Sequence, residues 1–435
     1  MNIMIKPMVY FTVILLLILT NDINAITYYV DSDGGNDRNS GTSSLAAWNT
    51  ISKVNSKHFN FGDTISFKCG DRFSGVTLYT YCDGLTFNSY GSGARPVIDG
   101  QSSVMCCEIG SKSNITFNGI KFVHGINNPG GEVGMWGAHD IVFESCNIDS
   151  GAGDKYRHSN LYAGGHSYNI TIRNCTISYG QNNVSSYNGC LGFYIDGVDH
   201  LLMEYDTLIG NFSNFRIAFG DGNMTTNSII RYCVAKYGRW DNIDDSGSNG
   251  LQVYYNVFET FSNNLYFFCN GDEGSITDQY VPRRSYYYNN TFISHGNGGN
   301  HILVRTNTYK DTGSVFKNNI FYSDGLGHRL YEDLSSNGGI VDWTFDNNLY
   351  YGGTGWYYHG VNYKSFKSWK ALGFDANSIN ANPLFTKYSA GDYSLQSGSP
   401  ARNAGTNVGL TNGINGNSGS PHPPDIGAFQ YLHIQ

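Results

Sequence analysis

The chain has 435 residues, a formal net charge of −8, 14% charged and 15% aromatic side chains, 54 Gly and only 9 Pro. A charged fraction well below the roughly 25% of ordinary soluble domains, with Tyr and Phe abundant, excludes a disordered or collagen-like chain and argues against a helical enzyme. No stretch concentrates Lys and Arg, so no nucleic-acid partner is expected.

Residues 1–25 carry Lys6, the apolar run MVYFTVILLLILT and the small residue Ala25. Thirteen apolar residues fall short of the roughly 20 that cross a bilayer as a helix. The segment reads as a signal peptide cut after Ala25, giving a secreted chain, extracellular or periplasmic, with no membrane partner after cleavage. Export permits disulfides, but nine cysteines leave at least one unpaired within the chain. Cys69 and Cys82 could close a loop, and none of the nine shows zinc-ligand spacing.

Residues 26–100 form a mixed opening segment whose one amphipathic helix candidate is AAWNTISKV. From residue 101 to 353 one phrase recurs, with variants ITFNGIKF, IVFESCNI, ITIRNCTI, LLMEYDTL, SIIRYCVA, LQVYYNVF, YYYNNTF, VFKNNIF and WTFDNNLY. Equivalent positions are Ile120, Cys146, Cys175, Asp206, Cys233, Asn256, Asn290, Asn319 and Asn348, spaced by 23 to 34 residues. Such irregular intervals suit stacked coils whose turns vary in length, and the period-two alternation predicts one inward and one outward face per strand. Cys146, Cys175 and Cys233 should stack as a ladder, and the Asn residues should continue it by bonding between coils while tolerating a bend. Residues 354–435 lack the repeat and, with 26–100, should cap the exposed strand edges. Residues 26–435 then make one domain.

The opening YYVDSDGGNDRNSGTSSLAAWNTISKVN with FGDTISFKCGDRFSG, the coils, and the ending GDYSLQSGSPARNAG with PDIGAFQY resemble secreted right-handed parallel β-helix proteins of the pectate-lyase-like, carbohydrate-active group. The resemblance implies an all-β, single-stranded parallel β-helix solenoid with terminal caps. It also implies that the strand after each repeat phrase belongs to the sheet carrying a binding cleft. Fold alone does not fix the reaction.

Alternation then predicts the cleft face: Trp136, Tyr162 and Tyr194 at one end, Arg216 and Asp244 in the middle, and Tyr266, His301, Arg305, Arg329 and Tyr331 beyond. Aromatic faces stack on sugars and Arg forks hold carboxylates, so the face suits a polysaccharide, most simply an acidic one, bound by a monomer. Asp241, Asp244 and Asp245 crowd together in RWDNIDDSG, with Asp221 about one coil earlier. Their mutual repulsion could be relieved by Ca²⁺ on Asp241 and Asp244, by a shared proton that leaves one acid and one base, or by turn bonding. CVAKYGRWDNID is similar to metal-ligand coils of calcium-dependent lyases at Asp241 and Asp244. It departs from them at Trp240, where another Asp is expected, and at Tyr266, where such lyases place a Lys base.

Three functions follow. A lyase of uronate-containing glycans would use Arg216, Arg305 or Ca²⁺ to neutralise the carboxylate and Tyr266 or His301 as base. A glycoside hydrolase would use Asp244 and Asp245 but lacks the Gly-His-Gly and Arg-x-Lys elements of polygalacturonase-type β-helices. A non-catalytic glycan-binding surface protein is the third.

Overall fold

The structure, a computed structural model, describes residues 25–126, 131–151, 158–179, 191–218, 223–239, 241–260, 264–270, 284–296, 299–305, 311–325, 329–333, 340–410, 412–416 and 423–431. For 264–270, 303, 305 and 311 it describes the backbone alone. The leader, Asp221 and Trp240 lie outside the described residues. No helix among them is long and apolar enough to cross a membrane.

Each repeat phrase folds as two strands that meet at a bend, and a third strand follows. In one coil these are His139–Glu144, Asn147–Asp149 and Ser159–Gly164. Stacked in parallel, the three strand sets build sheets of 14, 12 and 7 strands, and a further 5-stranded sheet follows the third sheet at the C-terminal coils. The chain is a right-handed parallel β-helix.

Parallel, in-register stacking sets each inward residue over its counterpart one coil away. Ile115, Ile141, Ile170 and Leu201 form one such row, and Phe117, Phe143, Ile172 and Met203 another. A coil rise of roughly 4.8 Å is also a good offset-stacking distance for rings. Phe258, Phe292, Phe321 and Tyr350 accordingly stack at 5.0, 5.0 and 5.2 Å.

The bend between the first two strands is a single left-handed residue: Gly119, Ser145, Asn174, Tyr205, Tyr232, Tyr255, Asn289, Asn318 or Asn347, with φ from 52° to 70°. The bend therefore falls one residue before the expected ladder position, and the ladder residue itself turns inward. There the expected bonding is present. The Cys146 amide donates to Cys175 Sγ at 3.3 Å and the Cys175 amide to Asp206 Oδ1 at 2.8 Å. Amides of Cys233, Asn256, Asn290 and Asn319 each donate to the Asn Oδ1 of the next coil at 2.8 to 3.1 Å.

The seven described cysteines are all free thiols, Cys69 and Cys82 among them, so the loop between those two is not closed by a disulfide. The helix expected in AAWNTISKV is shorter and later, Ile51–Asn55, with Thr50 as its cap. Ala47 and Trp48 stay extended because Trp48 exchanges backbone bonds with Tyr29 and Asp31. The described part of the tail folds back over the outer face of the second sheet, where Phe385, Tyr393, Leu395 and Ile426 bury Val257, Ile293, Ile320 and Leu349 in a second core.

Candidate active site

The third sheet carries the candidate site because its outward residues fall into rows along the stack. Register pairs Tyr162 with Tyr194, Tyr194 with Arg216 and Arg216 with Asp244, so these four share one row. Trp136 belongs to the adjacent row, two residues along the strand, with Gly164, Asp196 and Ala218. It still joins the aromatic wall, because the rings lean along the strand over neighbouring glycines. A Cβ on Gly134 would lie 2.3 Å from Trp136, and one on Gly164 would lie 2.1 Å from the Tyr162 hydroxyl. Trp136 to Tyr162 is 5.3 Å and Tyr162 to Tyr194 is 5.5 Å between ring centroids.

Tyr162 and Tyr194 are each 4% exposed, and with Leu191 and Ala218 they form a small core of their own, so this end of the face is covered, not an open groove. At the other end Arg216 Nη1 donates to Asp244 Oδ2 at 3.0 Å, and the Ser246 hydroxyl donates to Asp244 Oδ1. The ion pair is nearly dry, with side chains 13% and 3% exposed. Removing one partner would strand a buried charge. Asp196, not singled out in the sequence, accepts from the Tyr162 hydroxyl at 3.2 Å and adds a second carboxyl to this face. Its parity with Tyr194 in LGFYID was the signal that could have found it.

Asp245 faces the other way. It pairs with inward Ile217 and accepts from the hydroxyls of Ser248 and Tyr287 at 2.7 and 2.8 Å, which makes it a core anchor and removes it from the expected catalytic pair. Asp241 pairs with Ser213 and has the parity of Ile243 and Asp245, opposite to Asp244. It is 2% exposed, and burial first, then the Asp244 charge, pushes its pKa well up against the opposing pull of the Ser213 hydroxyl.

The described residues do not form a calcium cradle. Ca²⁺ asks for six to eight oxygens, whereas Asp241 and Asp244 have opposite parity and both Asp244 oxygens are engaged by Arg216 and Ser246. No group of three metal-ligating side chains occurs among the described residues.

His301, expected as a surface base, is fully buried, its ring edge-on to core Phe321 at 5.9 Å. Tyr331, expected to face outward, is a core residue at 1% exposure. Arg329 lies far along the sheet, paired with Glu332 and set over the Tyr357 ring at 5.1 Å. Arg305 and Tyr266 lie on described strands, but their side chains fall outside the described residues. Tyr266 also stands where register shifts between Asn264 and Phe267, so alternation does not fix its side.

No family model and no curated protein sequence matches the chain. Among solved structures, pectate lyase Pel9A is similar over 93% of this chain and 96% of its own, at 15% identity and a TM-score of 0.51. An alginate lyase from Paenibacillus sp. str. FPU-7 is similar over 70% and 96%, at 15% identity and TM-score 0.46. The GH136 lacto-N-biosidase from Eubacterium ramulus is similar over 75% of this chain at 14% identity and TM-score 0.41, and the match spans only 64% of that enzyme. These likenesses concern the fold.

Proposed function

We propose that the protein is an exported, monomeric carbohydrate-active enzyme that cleaves a polysaccharide lying along the outer face of the third sheet, by β-elimination at a uronate. The observation that carries this reading is the row Tyr162, Tyr194, Arg216, Asp244, which sets an aromatic wall directly beside a guanidinium fixed by a buried carboxylate. The guanidinium fork matches a carboxylate, and Trp136, the partly buried ring packed at the edge of that covered wall, is the one placed to stack on a sugar face. The carbohydrate-active names among the similar folds agree with it.

In this reading the Arg216 guanidinium binds the uronate carboxylate and makes the proton on the adjoining carbon more acidic. A phenolate takes that proton, the electron pair forms a carbon–carbon double bond, and the glycosidic oxygen leaves and takes up a proton. Tyr194, one coil from Arg216 in the same row, is the phenol placed to take that proton.

The test measures ultraviolet absorbance and reducing ends together, with residues 26–435 on acidic and neutral polysaccharides, with and without chelator. Absorbance rising with new ends supports elimination. Arg216→Lys keeps a charge beside Asp244 but loses the fork, and Tyr194→Phe keeps the ring but loses the phenol. Each should lower kcat/KM by about 10² or more, and full activity in both would overturn the assignment. Tyr266→Phe, run alongside, shows whether the phenol belongs to the other neighbouring coil. Loss of activity with chelator alone would restore a calcium role.

Hydrolysis is the second reading, favoured by the two carboxyls Asp196 and Asp244 on this face. It predicts new ends without absorbance and loss of activity in Asp196→Asn and Asp244→Asn.

A further inference from the structure

Away from that face, every large apolar side chain left exposed on the described coils between residues 101 and 353 is a tyrosine: Tyr168, Tyr179, Tyr205 and Tyr237, at 40%, 58%, 52% and 44%. Three of these border the second sheet, and all three have left-handed backbones, with φ of 46° at Tyr179, 59° at Tyr205 and 56° at Tyr237. A bulky residue in that region is strained, and the fold shows what it accepts more readily. At the bend position of Tyr205 other coils carry Asn174, Asn289, Asn318 and Asn347, and at the turn between Tyr179 and Tyr237 stands Gly210.

Two bend tyrosines have an evident use. Tyr255 is buried, and the Tyr232 hydroxyl donates to the Asn412 carbonyl of the folded-back tail at 3.2 Å. Tyr205 stacks on Tyr232 at 5.0 Å but lies beyond the tail, and on the opposite border Tyr179 leans over Gly210, where a Cβ would lie 3.0 Å from its ring. Between the borders the outward residues of the second sheet are Thr176, buried Ser178, Thr207 and Ile209, followed in the Tyr237 coil by Val234, which packs against the tail, and Lys236. The backbones of Tyr179 and Tyr237 stand two coils apart, about 10 Å, with the Tyr179 ring lying over the coil between them.

The charges flanking this strip are paired: Glu144 with Arg173, Glu204 with Arg231, and Lys236 with Glu259. A strip of phenol rings and hydroxyls whose flanking charges cancel complements an uncharged, hydroxyl-rich polymer and offers nothing to draw an acidic one. We propose that this tyrosine-bordered strip of the second sheet is a second carbohydrate-binding surface, which holds a neutral polysaccharide and is separate from the Arg216 face.

Affinity electrophoresis of residues 26–435 through gels containing mixed-linkage β-glucan, xylan or galactomannan tests this. At least one neutral polymer should retard the protein. Tyr179→Asn with Tyr237→Asn, in the residue type that left-handed turns tolerate, should weaken retardation tenfold or more. Tyr205→Asn should weaken it less, because one ring is lost in place of two. The Phe versions of the Tyr179 and Tyr237 variants should retain it, and Arg216→Lys should leave it unchanged, so failure of the cleavage reading and of this one are distinguishable. Thermal melts establish that each variant is folded. No retardation by any neutral polymer, undiminished retardation of the Asn variants, or a wild-type dimer that the Asn variants dissolve would each overturn the proposal.

Discussion

Single side chains in this protein are decided by how a residue meets its own counterpart one coil away. Asn319 shows the scale of the effect: its Oδ1 accepts from the Asn290 amide and side chain at 2.9 and 3.1 Å, and its Nδ2 donates to the Tyr287 carbonyl at 2.8 Å, all fully buried. Alanine there would leave several buried polar groups without partners at about 1–3 kcal/mol each. Asn319→Ala should therefore destabilise the fold by about 2–4 kcal/mol, read as a lower denaturant midpoint. The ladder was legible in the sequence because one residue type recurs at one phrase position. A second ladder was not. Asn160 bonds to Asn211, Asn211 to Asn214 and Asn214 to Asn242, and Gly192 is left without a side chain where Asn211 inserts. Asn160, Asn214 and Asn242 hold one register position, in SNLYAG, SNFRIA and DNIDD, but Gly192 breaks the column and Asn211 enters it from another part of the coil, which hides the repeat.

At the scale of elements, the folded-back tail is fastened to the second sheet by a charged cluster at the border of their shared core. His295 Nδ1 lies 2.9 Å from Asp324 and Nε2 3.2 Å from Glu259, Lys236 pairs with Glu259, and the tail's Tyr388 hydroxyl donates to Asp324 at 2.6 Å. Burial alone would lower the His295 pKa, but its bonds to Glu259 and Asp324 carry it above the ordinary 6.5. Burial would raise Glu259, yet His295 and Lys236 hold it at about 2, against an ordinary 4.5. The His295 contribution is complete below pH 6.5 and is lost as pH rises through its raised folded value. The Glu259 contribution is complete above pH 4.5 and is lost as pH falls toward 2. The melting temperature should therefore decline from pH 6 into the alkaline range, and His295→Gln should flatten that decline in a differential scanning series. Sequence reasoning missed this cluster because residues 259, 295, 324 and 388 belong to three coils and the tail.

For the molecule as a whole, the question is how a rod of stacked coils covers its ends and its outer faces. Tyr28, Trp48 and Phe59 gather at the first coil, and Trp356, Phe366, Trp369 and Phe374 at the last. That these clusters cap the rod is a proposal, which truncation tests. A chain ending at residue 353 would lose the second group and would also bare Val257, Ile293, Ile320 and Leu349 on the second sheet. An apolar face of that extent invites association, so size-exclusion chromatography with light scattering should show aggregates where residues 26–435 give a monomer. A monodisperse truncated chain would mean that neither end nor tail protects the rod.

The sequence by itself determined the coil, its period and its inward residues, because a parallel stack repeats the same local chemistry and repetition is visible in one dimension. It also placed Tyr162, Tyr194, Arg216 and Asp244 on one face, since period-two alternation holds wherever a strand is regular. Tertiary structure decided what alternation cannot reach. It gave Asp245, inward by the same alternation, the Tyr287 hydroxyl as its partner, sealed His301 against Phe321, and covered the aromatic wall. It also brought Asp196 beside Tyr162 across 34 residues of chain. Burial and partnership depend on what arrives from other coils, and those arrivals are set by turn lengths that follow no repeat.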